Sequence, residues 1–221
     1  KNKMKADLHF HPSFGIGSMI FERKIPTIQD IFKQMHNKNI DLVTITSCSN
    51  AEWKDKRWKI YSGDYNINLI KCVNKYVVHG QEIQTDKGDI NVIFTEREIP
   101  LKASKTNTPF VDFYWILESA KNSGENVLIG LNEVSRTKID EKGIKKLYEN
   151  ERIDFIESFN AMDLRRNNKK TKDLSNKLEI PGIAVSDGHR LLDMAKAYTI
   201  FENVRLNTDY NNLAKDVKEA M

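Results

Sequence analysis

Residues 7–11 read D-L-H-F-H, so one apolar residue separates His9 from His11. On a strand, alternate side chains share a face, and the two imidazoles therefore emerge on the same side. Further along, G-Q-E-I at 80–83 places Glu82 late in an apolar run, and S-D-G-H at 186–189 brings Asp187 and His189 to the end of another. Imidazole suits zinc or iron, and carboxylate oxygen suits manganese or magnesium. His9, His11, Glu82 and Asp187 thus make a four-ligand set for one divalent ion. His189, two residues beyond Asp187, is placed to bind a second ion or to donate to a substrate oxygen.

Such residues come together only if the elements carrying them end at a common place. Short apolar runs rich in β-branched residues recur at 5–10, 41–46, 76–83, 90–94, 127–131, 153–159, 182–186 and 197–201. Helical patterns lie between several of them. Thr27 with Asp30 opens one, with Ile28, Ile31, Phe32 and Met35 as its apolar stripe. Asp112 opens a second, with Ile116, Leu117 and Ala120 on one face and Gly124 beyond it. Asp140 caps a third, and Leu174 and Leu178 give a fourth its inward face. Seven or eight strands alternating with helices imply a parallel sheet closed as a small β/α barrel, one domain over residues 1–221. In a barrel of this kind the loops after the strands converge on one mouth. There the chain puts His9 and His11, then Ser47, Cys48, Ser49 and Asn50, then Glu82, Asn132 with Glu133, Asn160, and finally Ser186 to His189.

The bulk numbers fit a soluble, intracellular protein. The formal charge is +4, which permits an anionic substrate without demanding nucleic acid. Two cysteines, Cys48 and Cys72, cannot form a disulfide framework for 221 residues. No run approaches eighteen apolar residues, so a cytoplasmic protein without a membrane span is expected.

D-L-H-F-H at 7–11, G-Q-E-I at 80–83 and S-D-G-H at 186–189 stand in the order and spacing of the PHP motifs D-x-H-x-H, G-x-E and S-D-A-H. The run L-L-D-M-A-K-A-Y-T-I-F at 191–201 is similar to the segment that follows the last of them. On these residues the chain resembles the PHP family (polymerase and histidinol phosphatase) of metal-dependent phosphoesterases. The resemblance implies a distorted (β/α)7 barrel with a metal cluster at the C-terminal ends of the strands. It implies His9, His11, Glu82 and Asp187 as ligands of a first ion, His189 as a ligand of a second, and Asp7 as the acid that holds a histidine in its tautomer. The chain departs from the family at Ser47 and Cys48, which replace an aspartate and a histidine, at Asn132, which replaces a histidine, and near Asn91. One or two ions (zinc, manganese or iron) are therefore expected in place of three.

The expected activity is hydrolysis of a phosphoester, a small phosphomonoester or a nucleotide, by water that a divalent ion activates. Glu82 and Asp187 would bind or orient ion and water, and His189 would complete a second site or protonate the leaving oxygen. Arg190 and Arg165 are the candidate phosphate-binding residues, with Arg136 a third near a strand end. The alternative is a catalytically silent barrel that binds a ligand or partner. Trp53 to Tyr61 interleaves aromatics with positive charge and would suit single-stranded nucleic acid, or else form an amphipathic cover. Cys48 reads more as a small buried hydrophobe than as a ligand, and Cys72 as core within a helical pattern. His36 and His79 read as structural or surface residues, and R-R-N-N-K-K-T-K at 165–172 as a solvated helix face.

Overall fold

The computed structural model describes residues 3–11, 26–49, 69–72, 74–95, 99, 110–124, 126–205 and 209–221, with backbone alone at 47–49, 69–72 and 210–211. Its strands are β1 (Lys3–Phe10), β2 (Leu42–Ser49), β3 (Leu69–Cys72), β4 (Lys75–Ile83), β5 (Ile90–Ile93), β6 (Leu128–Leu131), β7 (Phe155–Asn160), β8 (Gly182–Val185) and β9 (Thr199–Glu202). Its helices are α1 (Ile28–Lys38), α2 (Phe113–Lys121), α3 (Glu141–Glu149), α4 (Arg165–Leu178) and α5 (Tyr210–Glu219). The Trp53 to Tyr61 segment lies outside the described residues.

The helix starts are built as the sequence implies. Thr27 Oγ1 accepts from Asp30 N at 3.2 Å while Thr27 N donates to Asp30 Oδ2 at 2.8 Å, a reciprocal cap that satisfies two otherwise unpaired amides. Asp112 accepts from Trp115 N and Asp140 from Gly143 N, each at 2.8 Å.

The strands run in the order β8-β7-β6-β5-β4-β2-β1-β9, with β3 beside β4. Seven of them form a ring, because the end of β1 returns to the loop after β8: Asp187 N donates to His9 O at 2.9 Å and His11 N to Gly188 O at 2.8 Å. The ring is distorted by two shared edges. β3 pairs with the first half of β4 and β5 with the second, while β9 pairs with the first half of β1 and the Gly188 bridge takes the last residue.

Two features differ from the sequence expectation. The sheet is not wholly parallel, since β5 runs antiparallel to both β4 and β6, and β9 antiparallel to β1. Between Ile83 and Ile90 the chain has room for a hairpin but not for the helical crossover that a parallel pair needs. Cys72 is in strand β3, not in a helix; it pairs with Lys75, and Asn74 just before Lys75 takes φ 60°. Asparagine tolerates that left-handed conformation better than most residues, so the turn lacks the usual glycine signature.

The barrel interior is filled by Met4, Ala6, Leu8, Leu42, Tyr76, Val78, Ile93, Leu128, Phe155, Ile183 and Val185. Leu213, Ala214 and Val217 of α5 pack onto the same cluster, and Phe10, Val43, Ile45 and Val77 instead face Ile31 and Met35 of α1. Leu8 therefore points inward and Phe10 outward, which a regular strand would forbid. The register explains it: Asp7 pairs with Val43 and Phe10 with Ile45, so β1 carries one extra residue. This bulge turns His9 and His11 into the barrel. Strand β7 repeats the device, with Glu157 opposite Ile183, Phe159 opposite Ala184 and Asn160 opposite Val185. Glu157 and Asn160 consequently both face inward.

Candidate metal centre

At the inner end of β1, His9 Nδ1 donates to Glu157 Oε1 at 2.6 Å, and His11 Nδ1 donates to the Thr46 carbonyl at 2.7 Å. Both histidines and Glu157 are buried. With each ring proton held on Nδ1, the two Nε2 atoms carry lone pairs, and they face one another at 2.8 Å. Two lone pairs that close repel unless a cation or a proton stands between them.

Asp187 Oδ1 lies 3.5 Å from both Nε2 atoms. The three atoms fall within 4.8 Å of one another. Glu82 Oε2 approaches from β4, at 3.6 Å from His9 Nε2 and 3.3 Å from His11 Nε2. Ligands about 2.0 Å from a tetrahedral zinc sit roughly 3.3 Å apart; His9, His11 and Asp187 form a group of that order, and Glu82 stands beside the two histidines outside that group. The second oxygen of each carboxylate is held by an amide. Asn132 Nδ2 donates to Glu82 Oε1 at 3.0 Å, and Asn160 Nδ2 donates to Asp187 Oδ2 at 3.1 Å. Each contact leaves the other oxygen turned toward the histidines.

The electrostatics ask for positive charge. Burial opposes a protonated His9, yet the carboxylates of Glu157, Glu82 and Asp187 outweigh it and hold the imidazole well above its usual range. Burial works against ionised Glu82 as well, and His9 and His11 overcome it. Glu157 is raised by burial. Asp89 is pushed up to about 7 by burial and by the nearby carboxylates of Glu82 and Glu133. A surplus of carboxylate around two imidazoles is the environment that a proton or a divalent cation relieves.

Asp187 itself takes φ 47°, a conformation that L-residues adopt at some strain and that Asp tolerates better than most. The loop is tied down by Asp7, whose oxygens accept from Ser186 N at 3.0 Å and Ala195 N at 2.9 Å. The sequence reading made Asp7 the acid that holds a histidine; the contacts give that place to Glu157. The β1 bulge is the reason, because it puts Asp7 and the histidines on opposite faces. Sequence reasoning missed Glu157, although a carboxylate inside the apolar run I-D-F-I-E-S-F was a signal that it needed a buried partner.

His189 stacks on His11 with ring centroids 4.9 Å apart and donates from Nδ1 to the Asp187 carbonyl at 2.9 Å. Burial and the neighbouring His11 lower its pKa. Arg190 is engaged by Asp193 through Nε and Nη2, at 2.7 and 2.9 Å. Arg165 is exposed at the first position of α4. Arg136 joins Glu133 at 2.6 Å and Asp163 at 3.2 Å. Asn91 Nδ2 donates to the Leu8 carbonyl at 3.3 Å. Cys48 is in backbone register with Glu82, and its side chain lies outside the described set.

No curated protein sequence matches the chain. Residues 165–219 match the PHP-associated family. The fold is similar to that of PsfC from Pseudomonas syringae PB-5123, at 13% identity and a TM-score of 0.66, over 100% of this chain and 89% of that one. It is similar to a two-domain protein from Bacteroides vulgatus ATCC 8482 that contains a predicted PHP-like metal-dependent phosphoesterase, at 15% identity and a TM-score of 0.63, over 99% of this chain and 62% of that one. The lesion-specific endonuclease PfuEndoQ from Pyrococcus furiosus matches at 17% identity and a TM-score of 0.62, over 100% of this chain but 57% of its own length. Among the described residues no helix is long and apolar enough to cross a membrane. The chain shares its barrel fold with a protein that contains a predicted PHP-like domain, and residues 165–219 match the PHP-associated family.

Proposed function

We propose that the chain is a metal-dependent hydrolase acting on a phosphoester, a small phosphomonoester or a nucleotide. One observation carries this reading: His9 Nε2, His11 Nε2 and Asp187 Oδ1 converge, with Glu82 Oε2 beside them. A divalent ion held there, whether zinc, manganese or iron, would neutralise phosphate oxygens and bring the pKa of water toward neutrality. Glu157 and the Thr46 carbonyl keep both imidazoles in the ligating tautomer. Asn132 and Asn160 occupy the outer oxygens of Glu82 and Asp187, which favours one or two ions over three. His189 stays largely neutral near pH 7 and offers Nε2 as a further ligand or as the place where a proton is held during ester cleavage. In this reading Arg165 and Arg190 serve as phosphate contacts, Arg190 by way of the guanidinium edge that Asp193 leaves unused. The similarity in fold to a protein containing a predicted phosphoesterase and to an endonuclease supports the same class of bond.

The test is a panel of phosphomonoesters, nucleotides and activated diesters with added manganese, zinc or magnesium. Turnover that follows metal and disappears in His9→Ala and in Asp187→Ala is expected. Unchanged turnover in both variants would refute the site. Metal binding with no turnover on any substrate would favour the silent barrel, a reading that Asn132 supports because its amide, unlike an imidazole, is a poor metal ligand.

A further inference from the structure

Helix α4 carries Arg165, Arg166, Lys169, Lys170, Lys172 and Lys177 against one carboxylate, Asp173, a net +5. The whole chain has a formal charge of +4, which leaves −1 for all other residues together. Lys177 meets Glu141 at 2.5 Å, but the other five cations are exposed and form no ion pair among the described residues. Arg166, Lys169, Lys170 and Lys177 follow the i, i+3, i+4, i+11 spacing of a single helix face, with successive turns about 5.4 Å apart.

The position of this stripe is set by the metal centre. Asn160, whose Nδ2 holds Asp187, is clamped by Asn168 of α4, which accepts from Asn160 N and donates to Asn160 O, both at 2.8 Å. Three exposed apolar side chains precede the helix in the chain: Phe159 (44%) in β7, and Met162 (52%) and Leu164 (56%) in the loop that leads from β7 into α4.

We propose that α4 is a docking track for single-stranded nucleic acid, with backbone phosphates on Arg166, Lys169 and Lys170 and bases against Phe159, Met162 and Leu164. The strand then leads a phosphodiester to the metal centre. This inference rests on the phosphoester reading of that centre. Clustered unpaired cations next in sequence to exposed apolar side chains fit a strand, whose charge and flat bases alternate, better than a lipid surface or an acidic protein.

The experiment measures anisotropy of a fluorescent oligothymidylate with the full chain in chelator, across a salt series, beside Arg166→Gln/Lys169→Gln/Lys170→Gln. The wild type should bind with an affinity that falls steeply with salt. The triple variant, with an unchanged circular dichroism spectrum, should bind at least tenfold more weakly, and its log–log salt slope should be shallower by about 2, three phosphates at roughly 0.7 each. A variant with wild-type affinity and slope overturns the proposal. So does a wild type that ignores the oligonucleotide, or one that binds phosphatidylserine vesicles or polyglutamate in its place. Because binding is read without metal, these failures are distinct from failure of the phosphoester reading, which would appear as absent turnover in metal across the panel of phosphomonoesters, nucleotides and activated diesters.

Discussion

Glu157→Gln keeps the shape of the contact beneath His9 and removes its charge. The 2.6 Å hydrogen bond from His9 Nδ1 is buried on both sides. A hydrogen bond to an ionised acceptor contributes about 1.5–3 kcal/mol and one to a neutral acceptor about 0.5–1.5, so the substitution weakens it by roughly 1 kcal/mol or more. The imidazole also becomes a poorer donor to an ion at Nε2, and loss of such an orienting acid typically weakens metal affinity about 10- to 100-fold. Stability falls too. Glu157 Oε2 is buried without a partner, and an amide there would bury unsatisfied N–H groups at about 1–3 kcal/mol. For a chain of this size that is a loss of roughly 2–4 °C in Tm per kcal/mol. Competition with a chromophoric chelator at pH 7.5, well below either melting temperature, gives the affinity ratio. A dissociation constant within twofold of wild type would refute the orienting role assigned to Glu157.

Asp193 is held at a pKa of about 2 by Arg190 and Lys196, against a usual 3.8. A depressed carboxylate stabilises the fold above its unfolded pKa and loses that contribution as pH falls through the folded one. Asp193→Asn should therefore be about 1–2 kcal/mol less stable in urea at pH 7, discounted for the exposed arginine and lysine, and the gap should shrink by about half at pH 3. A gap independent of pH would contradict the assignment. Gly130→Ala would put a Cβ 2.0 Å from the Phe155 ring, so a destabilisation of at least about 2 kcal/mol is expected by calorimetry, and an unchanged Tm would contradict the packing. Asn160→Ala removes the amide that orients Asp187 and should weaken metal affinity about tenfold, read by the same chelator competition; wild-type affinity would show that Asp187 needs no such support.

That His9, His11 and Asp187 come together was legible because each sits in a short motif at the end of an apolar run, where strand ends in a barrel meet. The way it is aimed was not. Simple alternation groups Asp7 with His9 and His11, but the extra residue in β1 separates Asp7 from them, and a second bulge brings Glu157 and Asn160 to one face although they stand three positions apart. Bulges leave little trace in one sequence, because the inserted residue is of ordinary type. The His9–Glu157 pair spans 148 positions, beyond any local pattern. The β3–β4 hairpin was hidden for a different reason, since its turn uses Asn74 in place of glycine and L-I-K-C alone is too short to show a period. The basic run of α4 was readable as composition, but its place beside Asn160 depends on the Asn168 clamp.

The most direct test of the account is metal content per chain. The wild-type protein would be loaded with zinc or manganese, dialysed and measured by elemental analysis beside His9→Ala and Asp187→Ala of matched circular dichroism. The account predicts at least one tightly held ion in the wild type and none above background in either variant. A wild type that retains no ion, or variants that retain as much as the wild type, would contradict the metal centre.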